Sequence, residues 1–224
     1  MITISSGFAR CISTIQASAQ MWGMKAAIIP EHPSAQNSST PDFGFAWQVA
    51  FDSSTNTVVA GSYHGGEYDY NARQYLEGHG SARIFKRQSS SSLDWQQEAQ
   101  LVGIDENGNS DYAGYAVAVS GDTVLISAIL LSDYSHRCFI FVRSGLVWTM
   151  QQILFSEDSS YADDGRVPRV AIEGDVAVIG RGHGGAGRVF VYQRNDTIWT
   201  LDQTLEASDG ANGDYFGAGM SSPS

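Results

Sequence analysis

YAGYAVAVSGDTVLISA (residues 112–128) and, after a short loop, RCFIFVRSGLVWTMQQIL (residues 137–154) decide how this chain is read. Ala116–Val119 and Val124–Ala128 are short runs of small, apolar and β-branched residues. The Gly121-Asp122 pair between them suits a two-residue hairpin with glycine at its first central position. A third run, Arg137–Arg143, ends at Ser144-Gly145, and a fourth, Trp148–Leu154, mixes apolar residues with glutamines as an outer, partly wet strand does. The stretch predicts a four-stranded meander.

The pattern recurs along the chain, with tryptophan as its ruler. Trp22, Trp95, Trp148 and Trp199 are each followed six residues later by Ile28, Leu101, Leu154 and Leu205. Equivalent third strands precede them: Ile12–Ile15, then runs from Ala82, Cys138 and Val189. Further upstream, Val49-Ala50-Phe51, Val117-Ala118-Val119 and Val170-Ala171-Ile172 each enter a turn that leads to Val58-Val59-Ala60, Val124-Leu125-Ile126 or Val176-Ala177-Val178. The expected organisation is all-β, with full four-stranded units at 43–101, 112–154 and 164–205. A half unit at 8–28, a connector at 29–42, the start of another unit at 214–220 and a tail at 221–224 complete it. The core expected from the pattern is Val117, Val119, Leu125 and Ile140 with their equivalents Val170, Ile172, Ala177 and Val191.

Phe216-Gly217 follows Gly213-Asp214-Tyr215, and degenerate versions of the pair stand at Phe45-Ala46 and Ala113-Gly114. With the AVAVSGDTVLIS run and the closing strand from Trp148, residues 8–220 resemble the FG-GAP repeat, the blade of the integrin alpha-type β-propeller. The resemblance implies a β-propeller arc of three full blades with partial blades at both ends, and a binding scaffold in an extracellular or cell-surface setting. Such blades serve very different proteins, so the likeness is specific to fold. The chain departs from the family pattern at Arg166-Val167, which stands where Phe-Gly belongs. Gly61-Ser62, Ala128-Ile129 and Gly180-Arg181 also replace the family's Gly-Ala-Pro after the second strand. The stop within a repeat at Ser224 favours a piece of a longer propeller, seven-bladed in the family. The alternative is a ring in which Phe216–Met220 joins Ile12–Gln16 and Trp22–Ile28. An open arc exposes sheet edges, and self-association through them is its expected consequence.

With 224 residues, 42% hydrophobic content and 24 glycines, the chain has enough apolar residues for a sizeable core and many turns. Thirteen lysines and arginines against 24 acidic residues give a net charge of −11, the opposite of what nucleic acid or an anionic membrane attracts. Cations and neutral ligands suit it better. No apolar run reaches the roughly 18 residues of a membrane span, so no membrane insertion is expected. The first residues lack the basic start and apolar core of a secretory signal. Cys11 and Cys138 occupy equivalent strands of different repeats and read as two small buried hydrophobes.

Two stretches carry the candidate chemistry. The first is the excursion between the second and third strands of the first unit, SYHGGEYDYNARQYLEGHGS (residues 62–81). Its Tyr63, Tyr68, Asp69, Tyr70 and Tyr75 are the expected ligand-binding residues. Loops on a rigid scaffold concentrate binding residues, and tyrosine offers large contact area at low entropic cost. The second stretch places Asp105, Asn107, Asn109 and Asp111 at alternate positions, an oxygen set that suits calcium. It lies before a first strand, whereas the family's cage lies between first and second strands. There only Asp52, Ser54 and Asn56 alternate in a longer loop. Both read equally as Asn/Asp turns.

No G-x-S-x-G elbow, H-E-x-x-H pair, phosphate loop or paired-cysteine cluster is present. Five histidines, His32, His64, His79, His136 and His183, fall in expected loops and read as surface residues. The leading reading is a non-catalytic module presenting loops to a protein or glycan. Behind it stand a calcium-stabilised structural module of a larger surface protein and a hydrolase using loop carboxylates.

Overall fold

The hairpin inside the opening stretch forms as its residues dictate. Its strands pair from Ser120 with Thr123 to Val117 with Ile126, and Gly121 takes a left-handed φ of 58° that a side chain would resist. The computed structural model of the chain describes residues 45–63, 68–69, 74–75, 80–87, 94–103, 112–129, 136–155, 167–182 and 185–221. The expected half unit at 8–28 and connector at 29–42 lie outside them.

The strands are β1 (Phe45–Asp52), β2 (Thr57–Ser62), β3 (Tyr68–Asp69), β4 (Gln74–Tyr75), β5 (Ser81–Arg87), β6 (Trp95–Val102) and β7 (Val117–Ser120). They continue with β8 (Thr123–Ile129), β9 (His136–Ser144), β10 (Val147–Phe155), β11 (Arg169–Glu173), β12 (Val176–Arg181), β13 (Arg188–Asn195) and β14 (Ile198–Leu205). Three four-stranded antiparallel sheets result, in the orders β1-β2-β5-β6, β7-β8-β9-β10 and β11-β12-β13-β14, with β3-β4 a small hairpin inside the 62–81 excursion. These are three propeller-type blades in a row, and the described sheets do not close into a ring. No helix occurs among the described residues, and none is long and apolar enough to cross a membrane.

Alternation along the middle blade builds two separate cores, one on each face. Val117, Val119, Val124, Ile126, Phe139 and Phe141 point back to Val59, Ile84 and Leu101 of the first blade. Ala118, Leu125, Cys138, Ile140 and Leu154 point forward to Val170, Ile172, Ala177, Ile179 and Phe190 of the third. Cys138 is a free thiol in that second core, and burial pushes its pKa up, which leaves it chemically inert.

The tryptophan ruler has a structural cause. Two residues six apart on an unbroken strand share a face, yet Trp148 packs backward and Leu154 forward. The register slips once between them: Met150 pairs with Phe141 and Gln152 with Ile140, leaving Gln151 as an extra residue. Glu98 in β6 and Asp202 in β14 are the equivalent bulges. Each lies three residues after its tryptophan, and each inverts the pleat.

The inverted strands then lock neighbouring blades. The Trp148 indole N–H donates to Glu98 Oε1 at 2.9 Å, and the Trp199 indole N–H donates to Gln151 Oε1 at 3.1 Å. Gln152 adds two hydrogen bonds to the Trp199 backbone, donating to its carbonyl and accepting its N–H, both at 2.8 Å. Arg143 lies over Trp148 and pairs with Asp122, and Arg194 lies over Trp199 and pairs with Asp175. Exposed ion pairs of that kind contribute only about 0.2–1 kcal/mol. The cores carry most of the stability, and the polar contacts set register.

Three positions differ from the sequence reading. Val191 is half-buried rather than core, because it faces forward from the third blade, where no described blade follows. His136 is buried at the start of β9, paired with Ile129, and is not a surface loop residue. After β14, Phe216 makes a single parallel bridge to Gly187, and no further strand forms between residues 206 and 221. Ile140→Ala is therefore expected to cost about 2–5 kcal/mol in denaturant unfolding, as for a closed core site. Val191→Ala, at a half-open site, is expected to cost less than half as much. Equal losses would show that the two positions share one environment.

Candidate binding site at the strand-start end of the blades

The Ala113-Gly114 loop before β7 docks on the first blade and the Phe216-Gly217 segment docks on the third, and the signature residues make that docking close. Gly114 has φ 90° and Gly217 has φ 86°, and Ala46 holds the same left-handed region at φ 55° despite its side chain. The Ala113-Gly114 backbone lies against Gly61 and Gly80, where an added Cβ would meet the carbonyl oxygens of Gly114 and Ala113 at 2.0 Å. Phe216-Gly217 lies in the same way against Gly180 and Gly187, with 2.2 Å to the corresponding carbonyls. Backbone must touch backbone here, so glycine is required on the receiving side.

The third repeat departs from the signature because its receiving blade departs too. On the middle blade the positions of Gly61 and Gly80 are held by Ser127 and His136, both buried. Side chains thus stand on the middle blade where the first and third blades carry glycine, and Val167 and Pro168 of the third repeat are both buried. Ser127 uses its hydroxyl to accept the Ala116 N–H at 3.0 Å instead.

This end of the blades gathers an aromatic cluster. Trp47, at the start of β1, lies 5.1 Å from Tyr63 at the end of β2 and 5.6 Å from Tyr115 before β7. Tyr63 and Tyr115 are 5.2 Å apart, and Tyr112 adds a fourth ring 6.2 Å from Tyr63. The interplanar angles of 65° for Trp47–Tyr63 and 66° for Tyr63–Tyr115 are those of edge-to-face packing, which favours the aromatic quadrupoles, and Trp47–Tyr115 is tilted at 50°. Arg169, at the start of β11, lies over Tyr115 at 5.4 Å. The cluster thus reaches from the first blade to the third. Gln48 beneath it accepts the Val117 N–H at 3.2 Å, fixing β1 against β7. Trp47 remains 53% exposed and gives the cluster a flat apolar surface.

Of the residues expected to bind ligand, Tyr63 is in this cluster. Tyr68 pairs with Tyr75, and Asp69 with Gln74, on the β3-β4 hairpin, whereas Tyr70 lies outside the described residues. Asp105, Asn107, Asn109 and Asp111 also lie outside them. Trp47, Tyr112, Tyr115 and Arg169 were not singled out from the sequence. A signal was present: Trp47 and Tyr115 both directly follow a left-handed signature residue. Among the described residues no group of three or more His, Cys, Asp or Glu side chains is arranged to hold a metal.

The second oxygen set, at Asp52, lies at the opposite end of β1 and is fully engaged. The Asp52 carboxylate accepts the Ser54 N–H at 2.7 Å, the Ser54 hydroxyl at 2.6 Å and the Thr55 N–H at 3.2 Å, and its other oxygen accepts the Gly121 N–H of the middle blade. It is an Asx turn that also anchors the next blade. Ser120 repeats the anchor one blade on, accepting the Gly174 N–H at 3.0 Å.

Residues 95–141 match the family model of the FG-GAP repeat. The chain carries an FG-GAP repeat. No curated protein matches the chain. The matched FG-GAP segment begins at Trp95 and ends at Phe141, so the sequence repeat joins the outer strand of one blade to the first three strands of the next. It includes the Glu98 bulge and the docked Ala113-Gly114 loop, the two features that join blade to blade.

Burial alone would raise the Asp52 pKa, but the hydrogen bonds from Ser54, Gly121 and Thr55 outweigh it and hold the carboxyl below its ordinary 3.8. A folded-state pKa below the unfolded one adds stability that is present above the unfolded pKa and is lost as pH falls through the folded value. Asp52→Ala is thus expected to destabilise the chain at neutral pH by about 1–2 kcal/mol, the loss of a capping-type carboxylate. In thermal melts the gap between wild type and variant should close as pH falls below 3.8. A pH-independent gap would assign the loss to packing.

Proposed function

We propose that this chain is a non-catalytic propeller-type binding module that recognises a protein or glycan at the strand-start end of its blades. One observation carries the reading: Trp47 stands half-exposed on a platform of Tyr63, Tyr112 and Tyr115 that three blades hold in place. Large aromatic side chains on a rigid support lose little entropy on binding and present apolar surface to a sugar face or a peptide. Tryptophan, tyrosine and arginine are also the residues in which interface energy concentrates. The reading also takes in Tyr68, Asp69, Tyr70 and Tyr75 of the excursion that follows β2 in the sequence.

The catalytic alternative, a hydrolase using loop carboxylates, has no G-x-S-x-G elbow, H-E-x-x-H pair or phosphate loop behind it in the sequence. The calcium-stabilised reading rests on the alternating oxygens of Asp105, Asn107, Asn109 and Asp111. A chelator that lowers the melting midpoint, with recovery on adding calcium, would support it through mass action.

The binding reading is tested by screening the chain against glycan and peptide arrays, followed by titration of the strongest hit. Trp47→Ala is expected to weaken that hit about 30-fold, the loss of roughly 2 kcal/mol at a central aromatic. The melting midpoint should change little, since Trp47 is half in solvent. Undiminished binding by the variant would move the site elsewhere.

A further inference from the structure

Two arginines of this chain lie over a tryptophan and are completed by a carboxylate. Arg143 and Arg194 lie over the rings of Trp148 and Trp199 at 5.9 Å and 5.2 Å, and Asp122 and Asp175 accept their N–H groups. Arg169 has the first half of this arrangement without the second. Its guanidinium lies over the Tyr115 ring at 5.4 Å, and among the described residues no carboxylate, carbonyl or hydroxyl accepts from it. An arginine carries five N–H donors and does not shed its charge, so a half-buried one without an acceptor keeps an unused fork of donors.

The place of that fork makes it available to a ligand. Tyr115, which lies under the guanidinium, is also the neighbour of Trp47, whose ring centre is 5.6 Å from its own. Trp47 is 53% exposed, and Tyr115 and Arg169 each keep part of their surface in water. A flat apolar surface and an unpaired cation thus share one tyrosine.

The chemistry that fits is a ring with an apolar face and one carboxylate. Guanidinium and carboxylate match as two parallel N–H···O bonds, the pairing that the two Asp partners already show is suited to a ring-bound arginine in this fold. The net charge of −11 turns away ligands with many negative charges, so a single carboxylate suits the site and a polyanion does not. Peptides are recognised mainly through main-chain pairing at a sheet edge or a helix seated in a groove, whereas the contacts offered here are side chains, rings and one cation. Resting on the binding role of the Trp47 platform, we propose that its ligand is an acidic sugar, with a C–H face of the sugar ring on Trp47 and the sugar carboxylate on Arg169.

The test is calorimetric titration of the full chain with sialyllactose and with a glucuronate-ended disaccharide, each beside its carboxyl methyl ester, which keeps the ring and removes the charge. At least one acid is expected to bind, and its ester about tenfold or more weakly, the loss of a charge-assisted hydrogen-bonded pair. Arg169→Gln, its folding confirmed by circular dichroism, is expected to bind acid and ester alike, and Trp47→Ala to weaken both. Equal binding of acid and ester by wild type, with both weakened in Trp47→Ala, overturns the acidic sugar and leaves the platform standing. Binding that Trp47→Ala leaves intact overturns the platform itself. An acid preference kept by Arg169→Gln overturns the proposal, as does failure of both acids to bind, including the case in which acidic peptides bind instead.

Discussion

The extra residue three positions after Trp95, Trp148 and Trp199 is the feature on which the rest of the structure depends. An outer strand in strict alternation would place Trp148 and Leu154 on one face, so that one neighbouring blade received both and the other neither. The bulge at Gln151 turns the second half of the strand over, so that one strand supplies an indole to the blade behind and a leucine to the blade ahead. A bulge also increases local twist, which turns successive blades relative to one another as a propeller needs. The bulge residue itself has no ladder partner. Glu98 and Gln151 use that freedom to accept the next tryptophan's N–H, so the irregularity and the contact it permits come from the same residue.

A second constraint acts at the other end of the blades and works through absence of side chains. Where Gly61 and Gly80, or Gly180 and Gly187, receive the loop of the following repeat, carbonyl oxygens occupy the place of a Cβ. The receiving glycines and the arriving signature therefore go together. Ser127 and His136 on the middle blade go with Arg166-Val167 in the third repeat, and this pairing explains a departure that in the sequence looks like decay of the motif. The signature is a docking element, and the family match, residues 95–141, spans it across a blade boundary.

Strand positions were legible because alternation, the Gly-Asp turns and the tryptophan offset all report backbone geometry directly. The chain offset of six was visible, but its meaning was not. Nothing in a pattern of Trp and Leu distinguishes a regular strand, which would put both on one side, from a bulged one, which separates them. Val191 was misplaced for a related reason. Its sequence environment matches that of Ile140, and only the absence of a described blade in front of it makes the difference. His136 failed because a loop was assumed to end later than it does, while β9 begins at that residue. Of the candidate site, Tyr63 was legible as a tyrosine in a long excursion. Its partners Trp47, Tyr115 and Arg169 come from three different blades, and their meeting is a product of blade stacking rather than of local sequence.

The two ends of the row then differ in what they allow. At the turn end, Asp52 and Ser120 must offer an acceptor to the next blade's turn, and Asp122 and Asp175 hold the arginines beside their tryptophans, so side-chain chemistry there is spent on register. At the strand-start end, the first and third blades receive the following loop backbone against backbone, at Gly61 and Gly80 and at Gly180 and Gly187. Ala46, Gly114 and Gly217 hold the left-handed position, and the residues after them are Trp47, Tyr115 and Ala218. Ala218 lies against Gly182, whereas Trp47 and Tyr115 pack against each other and against Tyr63. In this chain the first two copies of that position carry the aromatic platform.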